Sequence, residues 1–193
     1  LLLLLRLLLL LLDQELVVTA TMHLGILAYL LIYSPAQNTE LSSLARADTA
    51  SRGAAARAHY LAADRLDVQF AAKEICRWMS KPTAQAWKAL KRVGRFFNSA
   101  PRLVYMFKQQ SVSSADVYVD TDWAGCPKTR KSTSGGCVML GSHCVKHWSS
   151  TQTSIALSSG EAEFAGVLRG AGQGLGYQAL LKDIGVAVPL RVW

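Results

Sequence analysis

Cysteine is scarce in this sequence, and none of it occurs at metal-binding spacing. The 193 residues include four cysteines without a C-x-x-C pair: Cys76, Cys126, Cys137 and Cys144. This spacing excludes the common zinc fingers and zinc ribbons. His143 and His147 lie close to Cys144 in the sequence, yet the intervals match no common zinc motif. We therefore interpret the cysteines as ordinary buried thiols of a reducing compartment.

Acidic residues are also scarce, except at the start of the chain. Residues 1–50 contain two basic and four acidic residues, whereas residues 51–193 contain 19 basic and 9 acidic residues, a net charge of +10. A chain that is basic only in its later part suits a polyanionic partner such as nucleic acid. Charge alone fits a basic soluble surface without a partner equally well.

Residues 1–50 contain little that predicts a folded domain. Residues 1–12 are leucine interrupted only by Arg6, and the chain does not begin with methionine. We therefore interpret residues 1–12 as a low-complexity tract in a partial or poorly predicted reading frame. The uncharged stretch from Leu16 to Tyr33 is close to the minimum length of a membrane span. A buried helix and translated non-coding sequence are the alternatives, and membrane insertion is not favoured because hydropathy alone supports it. Residues 34–51, rich in small polar residues, predict a linker.

Residues 51–110 predict a small helical region. A first helix, ending before Pro82, is indicated by apolar residues at helical spacing: Val68, Ala71, Ala72, Ile75, Trp78 and Met79. Thr83 is placed to cap a second helix, and residues 103–107 predict a strand. The second helix has one apolar face, formed by Ala86, Trp87, Leu90, Val93, Gly94 and Phe97.

Basic side chains lie largely off that apolar face. They are Lys88, Lys91, Arg92 and Arg95. Such residues usually form a solvated face, and contact with the phosphates of a nucleic acid is the alternative.

Residues 111–193 predict a small sheet followed by a long helix. Residues 117–121 alternate as a strand whose end carries Asp120 and Asp122, and residues 136–141 and 144–148 predict two further strands. Short connections make the three an antiparallel meander. Five glycines between residues 166 and 176 predict a helix that is short, broken or held only by packing. Leu175, Ala179, Leu180 and Ile184 are the candidates to anchor its second half.

Two glutamates at the start of that helix receive different roles. Ser158 and Glu161 are spaced as a capping box, which places Glu161 to accept a hydrogen bond from the Ser158 amide. Glu163 lies roughly 200° further round the helix and is free to face the sheet. If the helix packs on the meander, Glu163 meets Asp120, and paired carboxylates of this kind hold hard cations such as Mg²⁺. The pattern indicates phosphodiester hydrolysis assisted by metal ions.

Four sequence blocks follow one another between residues 118 and 164. Residues 118–125, 130–135, 148–150 and 156–164 match patterns close to D-A-D-W-A-G, R-(K/R)-S-T-S-G, W-x-S and A-L-S-S-T-E-A-E-Y. This order resembles the RNase H domain of copia-type retrotransposon polyproteins. The resemblance implies that Asp120 and Glu163 are catalytic, metal-binding carboxylates. It leaves Asp122 as an additional metal ligand, a support for the ligands or a structural residue.

The same resemblance implies a cofactor and a partner. The cofactor is Mg²⁺ or Mn²⁺, and the substrate is the RNA strand of an RNA–DNA hybrid, with Arg130 and Lys131 near its phosphates. A hybrid is recognised by its shape and its 2′-hydroxyls, so no base-reading motif is needed.

The preceding region has a resemblance of its own. Residues 60–71, 79–83 and 87–93 are similar to the segment that joins reverse transcriptase to RNase H in copia-type elements, although Leu66 stands where the family usually has proline. The Tyr-x-Asp-Asp turn of the polymerase site is absent, so we do not expect DNA synthesis. The family's third catalytic aspartate is also absent, since it would lie beyond Trp193.

These observations predict an α/β (α+β) fold in three parts. Residues 1–50 form the leucine-rich, apolar segment and linker, residues 51–110 form a helical region like the end of reverse transcriptase, and residues 111–193 form a partial RNase H-like domain. That domain is expected to be a three-stranded antiparallel meander plus a helix, truncated before the fourth strand, of which residues 190–193 are only the beginning.

The expected function follows from the resemblance. The chain is interpreted as a fragment of a copia-type Pol polyprotein whose family cleaves RNA in RNA–DNA hybrids by two-metal hydrolysis, inside the cell, with the remainder of the polyprotein as a partner. With only two metal-site carboxylates, it is expected to show little or no cleavage. The alternatives are a non-catalytic nucleic-acid-binding or membrane-tethered relic, and a genomic relic without a selected function.

Overall fold

The computed structural model describes residues 16–20 and 40–193, with side chains from Asp48 onward. The described residues within 17–105 and those within 106–193 form two compact units. The fold is mixed α/β, with four α-helices and a four-stranded sheet among the described residues.

The start of the described chain differs from the sequence prediction. Strand β1 spans Leu16–Ala20, so the proposed spanning helix from Leu16 to Tyr33 is wrong for its first five residues, and residues 21–33 lie outside the described residues. Within the part of the chain that the structure describes, no helix has the length and apolar character needed to cross a membrane.

Helix α1 spans Glu40–Leu61, so the linker predicted over residues 34–51 is wrong from Glu40 onward. Composition suggested a linker because serine, threonine and aspartate are frequent there. The helix is nevertheless rich in alanine, and Ala54, Ala55 and Ala58 are buried against the neighbouring helices. Packing of that alanine face outweighs the weak helix propensity of the polar residues.

The next helices largely follow the predicted pattern. A 3₁₀ turn spans Leu66–Val68, helix α2 spans Gln69–Cys76, helix α3 spans Ala84–Ser99 and strand β2 spans Leu103–Phe107. Trp78 and Met79 lie beyond α2, in a turn whose amides bond to Ile75 and Cys76 carbonyls. β1 and β2 form a two-stranded sheet.

Helix α3 begins where the sequence predicts. The Thr83 Oγ1 accepts a hydrogen bond from the Ala86 amide at 3.1 Å, which satisfies one of the unpaired donors of the first turn. The predicted apolar face packs into the core of the first unit, formed by Ala54, Ala55, Ala58, Leu61, Ala62, Val68, Ala72, Ile75, Leu90, Val93 and Phe97.

The second unit is a four-stranded sheet with one long helix. Strand β3 spans Ala115–Asp122, β4 spans Thr133–Leu140, β5 spans His143–Thr151, helix α4 spans Ser159–Asp183 and strand β6 spans Leu190–Val192. The strand order is β5-β4-β3-β6. The meander β3-β4-β5 is antiparallel as predicted, and β6 lies parallel to β3. The beginning of a fourth strand is therefore already part of the sheet.

Helix α4 is continuous over 25 residues, so the expectation of a short or broken helix is wrong. Gly166, Gly170 and Gly174 are buried on the side of α4 that faces the sheet. A methyl group on Gly170 would collide with Val119, and one on Gly174 would lie 2.6 Å from Leu190 Cδ1. The lost helix propensity is offset because these glycines let the helix backbone approach β3 closely.

The second half of α4 is anchored by other residues than the sequence indicated. Tyr177 and Leu181 are buried in the core with Val117 and Val138, whereas Leu175 is 56% exposed. Leu180 is partly buried against this core. Our expectation that Leu175, Ala179 and Ile184 anchor this half is wrong, because the glycine stripe turns the opposite side of the helix toward the sheet.

Candidate functional site

Asp120 lies on β3, two residues before the strand ends. It pairs with Gly135 of β4, and its side chain is exposed. The close neighbours of the α4 glycines are Val117, Val119 and Thr121, so these residues face the helix. Since side chains alternate along a regular strand, Asp120 points to the opposite face of the sheet.

Asp122 is bound to the backbone of the neighbouring strand. Its Oδ1 accepts a hydrogen bond from the Thr133 amide. The same carboxylate lies so close to Gly125 that a side chain at that position would collide with it. These contacts favour the structural role for Asp122, and its role as a metal ligand stays a prediction.

The loop between β3 and β4 carries Arg130 and Lys131. Two hydrogen bonds fix the backbone of this loop. The Ala124 amide donates to the buried Ser132 Oγ at 3.0 Å, and the Arg130 amide donates to the Cys126 carbonyl at 2.8 Å. Arg130 has a φ of 55° and an exposed side chain, and Lys131 is half-buried. The loop therefore has a defined backbone from which two cations project.

Helix α4 begins with the predicted serine cap. The Ser158 Oγ accepts a hydrogen bond from the Glu161 amide at 3.2 Å. The returning bond differs from the prediction, because Glu161 Oε2 accepts from the Leu157 amide at 2.7 Å and not from the Ser158 amide. Glu161 is thus committed to the backbone before the helix, as its assignment to a capping role requires.

Glu163 lies in the second turn of the helix and is exposed. Ala162 is fully buried and continues the sheet-facing line of Gly166 and Gly170. Glu163 is one residue, about 100°, away from that line, on the flank of the helix. The expectation that Glu163 itself faces the sheet is therefore wrong in this detail.

Three contacts bring the two motif regions to the same end of the sheet. The Trp123 indole N–H donates to the Ala156 carbonyl at 3.1 Å, which joins the loop after β3 to the segment before α4. The side-chain Nε2 of Gln152 donates to Ser134 Oγ at 2.9 Å and to the Ala162 carbonyl at 2.8 Å. Gly166 packs against Thr121, the residue after Asp120.

The donor set can be compared with what a metal needs. Among residues 48–193, no group of three or more His, Cys, Asp or Glu side chains is arranged to hold a metal ion. Two carboxylates supply the oxygen ligands that Mg²⁺ prefers. They are too few to fill the coordination shell of the ion. The zinc alternative near His143 gains no support either.

Cys137 and Cys144 instead contact each other on neighbouring strands. A hydrogen bond from the Cys144 thiol lowers the pKa of Cys137 to about 7, against the effect of partial burial. The Lys146 carbonyl, 3.4 Å from Cys144 Sγ, is an alternative acceptor for the same proton. Cys76 is partly buried, and this burial raises its pKa, whereas Cys126 is buried as the sequence predicts.

Asp116 is a buried, charged residue that the sequence patterns did not single out. Arg191 of β6 donates to it from Nε at 2.6 Å and from Nη2 at 2.9 Å, while Ser114 and the Trp193 indole donate to the same carboxylate. The Arg191 hydrogen bond is the main reason why its pKa falls to about 2. Asp116 therefore holds β6 beside β3. In the sequence, only its position at the start of the predicted strand indicated that this residue is buried.

The three predicted nucleic-acid contacts of the first unit lie together on α3. Lys88, Lys91 and Arg92 are exposed, and with Arg95 they line one groove. The sequence already groups Arg95 with these three as basic residues off the apolar face.

The chain is similar to a segment of much longer proteins. It is 33% identical over 138 residues to the retrovirus-related Pol polyprotein from transposon RE2 and 32% identical over 138 residues to that from transposon RE1, both of Arabidopsis thaliana. Each match covers 72% of this chain but 10% and 9% of the polyproteins, so the chain spans about a tenth of their length.

A further relative is named differently. The secreted RxLR effector protein 161 of Plasmopara viticola is 36% identical over 100 residues, which cover 52% of this chain and 70% of that protein. No protein-family model matches the chain, and no solved structure matches it.

Proposed function

Since this chain belongs to the copia-type retrotransposon Pol polyproteins, we propose that residues 106–193 are the RNase H-like region that cleaves the RNA strand of RNA–DNA hybrids. The observation that carries the proposal is the placement of Asp120 at the end of β3 and of Glu163 in the second turn of α4. Both lie at the end of the sheet where Gly166 packs on Thr121.

Asp120 and Glu163 are the residues that would hold Mg²⁺ or Mn²⁺. A bound ion of this kind activates water and offsets the charge that develops on the scissile phosphate. Both carboxylates are exposed, so each is accessible to an ion and to a phosphate. Glu161, two residues earlier, is not equivalent, because the Leu157 amide already donates a hydrogen bond to its carboxylate.

Arg130 and Lys131 are proposed to bind the phosphates that flank the cleaved bond. They project from the loop that follows Asp122, and their charge suits a backbone contact that carries no sequence information. A hybrid is distinguished from a DNA duplex by its near-A-form shape and its 2′-hydroxyls, which agrees with the lack of a base-reading motif.

We propose weak metal binding for these 193 residues. Mg²⁺ keeps most of its waters when only one or two carboxylates bind it, so the ion is held chiefly when substrate phosphates complete its shell. Slow or undetectable cleavage by this chain alone is the expected result.

Metal binding provides a test that does not depend on turnover. Addition of Mn²⁺ to the full chain is followed by paramagnetic broadening of its NMR signals, for the wild type and for Asp120→Asn, Glu163→Gln and Asp183→Asn. Asp183 is an exposed carboxylate at the other end of α4 and serves as the matched control. We expect the first two variants to lower the Mn²⁺ affinity about tenfold or more, a loss of about 1.4 kcal/mol, and the control to leave it unchanged.

The outcomes separate the parts of the proposal. Equal Mn²⁺ affinity in all four proteins would refute the assignment of Asp120 and Glu163. Efficient cleavage of a hybrid by the wild type, abolished by Asp120→Asn, would support the site and refute the expectation of weak activity.

A non-catalytic nucleic-acid-binding protein is the second candidate function. The net charge of +10 over residues 51–193 favours it. Hybrid binding that is retained by Asp120→Asn and is never followed by cleavage, even with Mn²⁺, would distinguish it from the nuclease.

A further inference from the structure

Helix α4 exposes a line of apolar side chains on the side that faces away from the sheet. Phe164 is 68% exposed, Leu168 is 65% exposed and Leu175 is 56% exposed, and Ala171 between them is half-buried. Successive residues of this line are four, three and four positions apart, which keeps them on one side of a helix. We call these four residues the apolar stripe.

The apolar stripe does not contribute to the packing of its own unit. The sheet-facing side of α4 is formed by six other residues, which are buried: Ala162, Gly166, Gly170, Gly174, Tyr177 and Leu181. The stripe lies roughly 140° round the helix from that side. Single exposed apolar residues are ordinary on a protein surface, whereas a contiguous line of them is typical of a contact with another molecule.

Charged residues continue the stripe at both ends. Steps of three and four residues extend the line to Glu161 in one direction and to Gln178 and Lys182 in the other. This is the spacing at which two helices pack along a common seam. Glu161 and Lys182 are both exposed, so the seam is apolar in its middle and oppositely charged at its two ends.

A second copy of α4 in antiparallel orientation matches this seam. A two-fold axis beside Ala171 places Leu168 of each copy against Leu175 of the other, because both lie at nearly the same distance from the axis. The same axis places Glu161 of each copy against Lys182 of the other. A parallel pair would instead bring like charges together at both ends.

The axis also brings Phe164 of each copy to a groove in the other. This groove lies beside the second half of α4 and is lined by Leu175, Gln178, Ala179, Lys182, Ala187 and Val188. Phe164 and Ala179 lie on opposite sides of the axis, each about 11 Å from it along the helix. A large side chain of one copy therefore meets a small side chain and an open groove in the other, twice in the dimer.

The size of the seam predicts a weak dimer. The seam from Glu161 to Lys182 is about 31 Å long and a helix is about 10 Å wide, so each copy contributes a contact of roughly 300 Å². This is smaller than the ~800 Å² per partner of a standard interface. We therefore expect a dissociation constant on the order of 10–100 μM.

We propose that this chain forms a two-fold dimer by antiparallel pairing of α4, with the apolar stripe as the contact and a second copy of the chain as the partner. The charges and the side-chain sizes along the seam are complementary to themselves, which favours a second copy over an unrelated partner. The contact goes beyond the proposed cleavage, because it uses neither Asp120 nor Glu163 nor a metal ion.

The test is the association of the full chain in solution. Sedimentation velocity between about 5 and 500 μM measures the monomer–dimer equilibrium. The variant Leu168→Gln/Leu175→Gln replaces two exposed leucines with a residue that also favours a helix. The control, Tyr118→Thr, removes an exposed aromatic side chain from the sheet face opposite α4. Circular dichroism verifies that both variants keep the helical content of the wild type.

The two variants should behave differently. We expect Leu168→Gln/Leu175→Gln to weaken the dimer about tenfold or more, because four leucine side chains per dimer lose their buried contact. Tyr118→Thr should keep the dissociation constant within about twofold of the wild type, as is usual for a surface substitution outside a contact.

A charge reversal tests the antiparallel orientation. Lys182→Glu places a carboxylate against Glu161 at both ends of the seam and should weaken the dimer about threefold to tenfold. Glu161→Gln/Lys182→Glu removes this repulsion and should recover most of the loss. Glutamine is suitable at position 161 because its side-chain oxygen can still accept the hydrogen bond from the Leu157 amide.

Several outcomes would overturn the proposal. They are a wild type that stays monomeric at the highest concentration, a main species larger than a dimer, or an unchanged dissociation constant in Leu168→Gln/Leu175→Gln or in Lys182→Glu. Binding of a monomeric wild type to phosphatidylserine vesicles, lost in the leucine variant, would assign the stripe to a membrane surface. Asp120→Asn should dimerise as the wild type does, so failure of the nuclease proposal and failure of this one are separately visible.

Discussion

The glycine stripe of α4 gives a sharp test of how the long helix is fixed on the sheet. Gly170 and Gly172 are two residues apart in the same helix and differ in their surroundings. A methyl group on Gly170 would collide with Val119 Cγ1 and lie 3.2 Å from Val117 Cγ1, whereas one on Gly172 would meet no atom within 4 Å. The same substitution, glycine to alanine, should therefore have opposite effects at the two positions.

The magnitudes follow from two opposing contributions. Alanine gains about 1 kcal/mol of helix propensity over glycine at either position. At Gly170 the added methyl overpacks a site bounded by two β-branched side chains on a central strand, which costs about 1–3 kcal/mol and requires the helix or strand to shift. We expect Gly172→Ala to raise the free energy of unfolding by about 0.5–1 kcal/mol and Gly170→Ala to lower it by up to about 2 kcal/mol.

The assay must report on the second unit. Two compact units need not unfold together, so a single global transition is not assumed. Hydrogen–deuterium exchange of peptides from α4 and β3, measured across a urea series, gives the local free energy of opening. A double variant, Gly170→Ala/Val119→Ala, removes the colliding Cγ1 and should recover part of the loss, with a coupling energy of roughly 0.5–3 kcal/mol.

The reasoning would be refuted by equal effects at the two glycines. If Gly170→Ala stabilised the unit as much as Gly172→Ala, then the close approach of α4 to β3 would not be real. The placement of Glu163 relative to Asp120, which depends on that approach, would then lose its support.

Three further predictions concern single side chains. Alkylation of Cys137 by iodoacetamide should rise with a midpoint near pH 7, and Cys144→Ala should move that midpoint upward, since the Cys144 hydrogen bond is the main cause of the lowered pKa. Asp116→Asn should lower the free energy of unfolding at pH 7 on the order of 1 kcal/mol, allowing for solvent screening at the half-exposed arginine. Because the folded pKa of Asp116 is depressed to about 2, its contribution is present above about pH 4 and is lost as pH falls toward 2, so urea unfolding of wild type and variant should converge there. Thr83→Ala should cost about 1 kcal/mol by leaving the Ala86 amide without its cap, and Thr83→Ser should restore most of it in the same urea assay.

Local signals predicted the elements of the fold well. The Thr83 and Ser158 caps are confirmed because a cap depends on the residue and its own first turn. The meander is confirmed because alternation and short loops are also local. The linker prediction failed at α1 because composition says nothing about the alanine face that packs on other helices.

The sequence predicted which residues belong to the candidate site, but not how their side chains are oriented. The order of blocks that carries Asp120 and Glu163 is visible in the sequence, and their roles stay predictions. Which flank of α4 carries Glu163 depends on which side of the helix touches the sheet. That choice was made by Gly166, Gly170 and Gly174, whose lack of a Cβ permits the closest contact.

The sequence by itself determined the family, the order of the strands and helices, and the residue types at the candidate site, because these depend on motifs and periodicities within short windows. Tertiary structure alone decided which face of α4 packs on the sheet and that Asp116 binds Arg191 from 75 residues away. Each of these is a contact or a shared surface in three dimensions. Residue spacing alone does not reveal such a contact, because it joins segments that come together only in the folded chain.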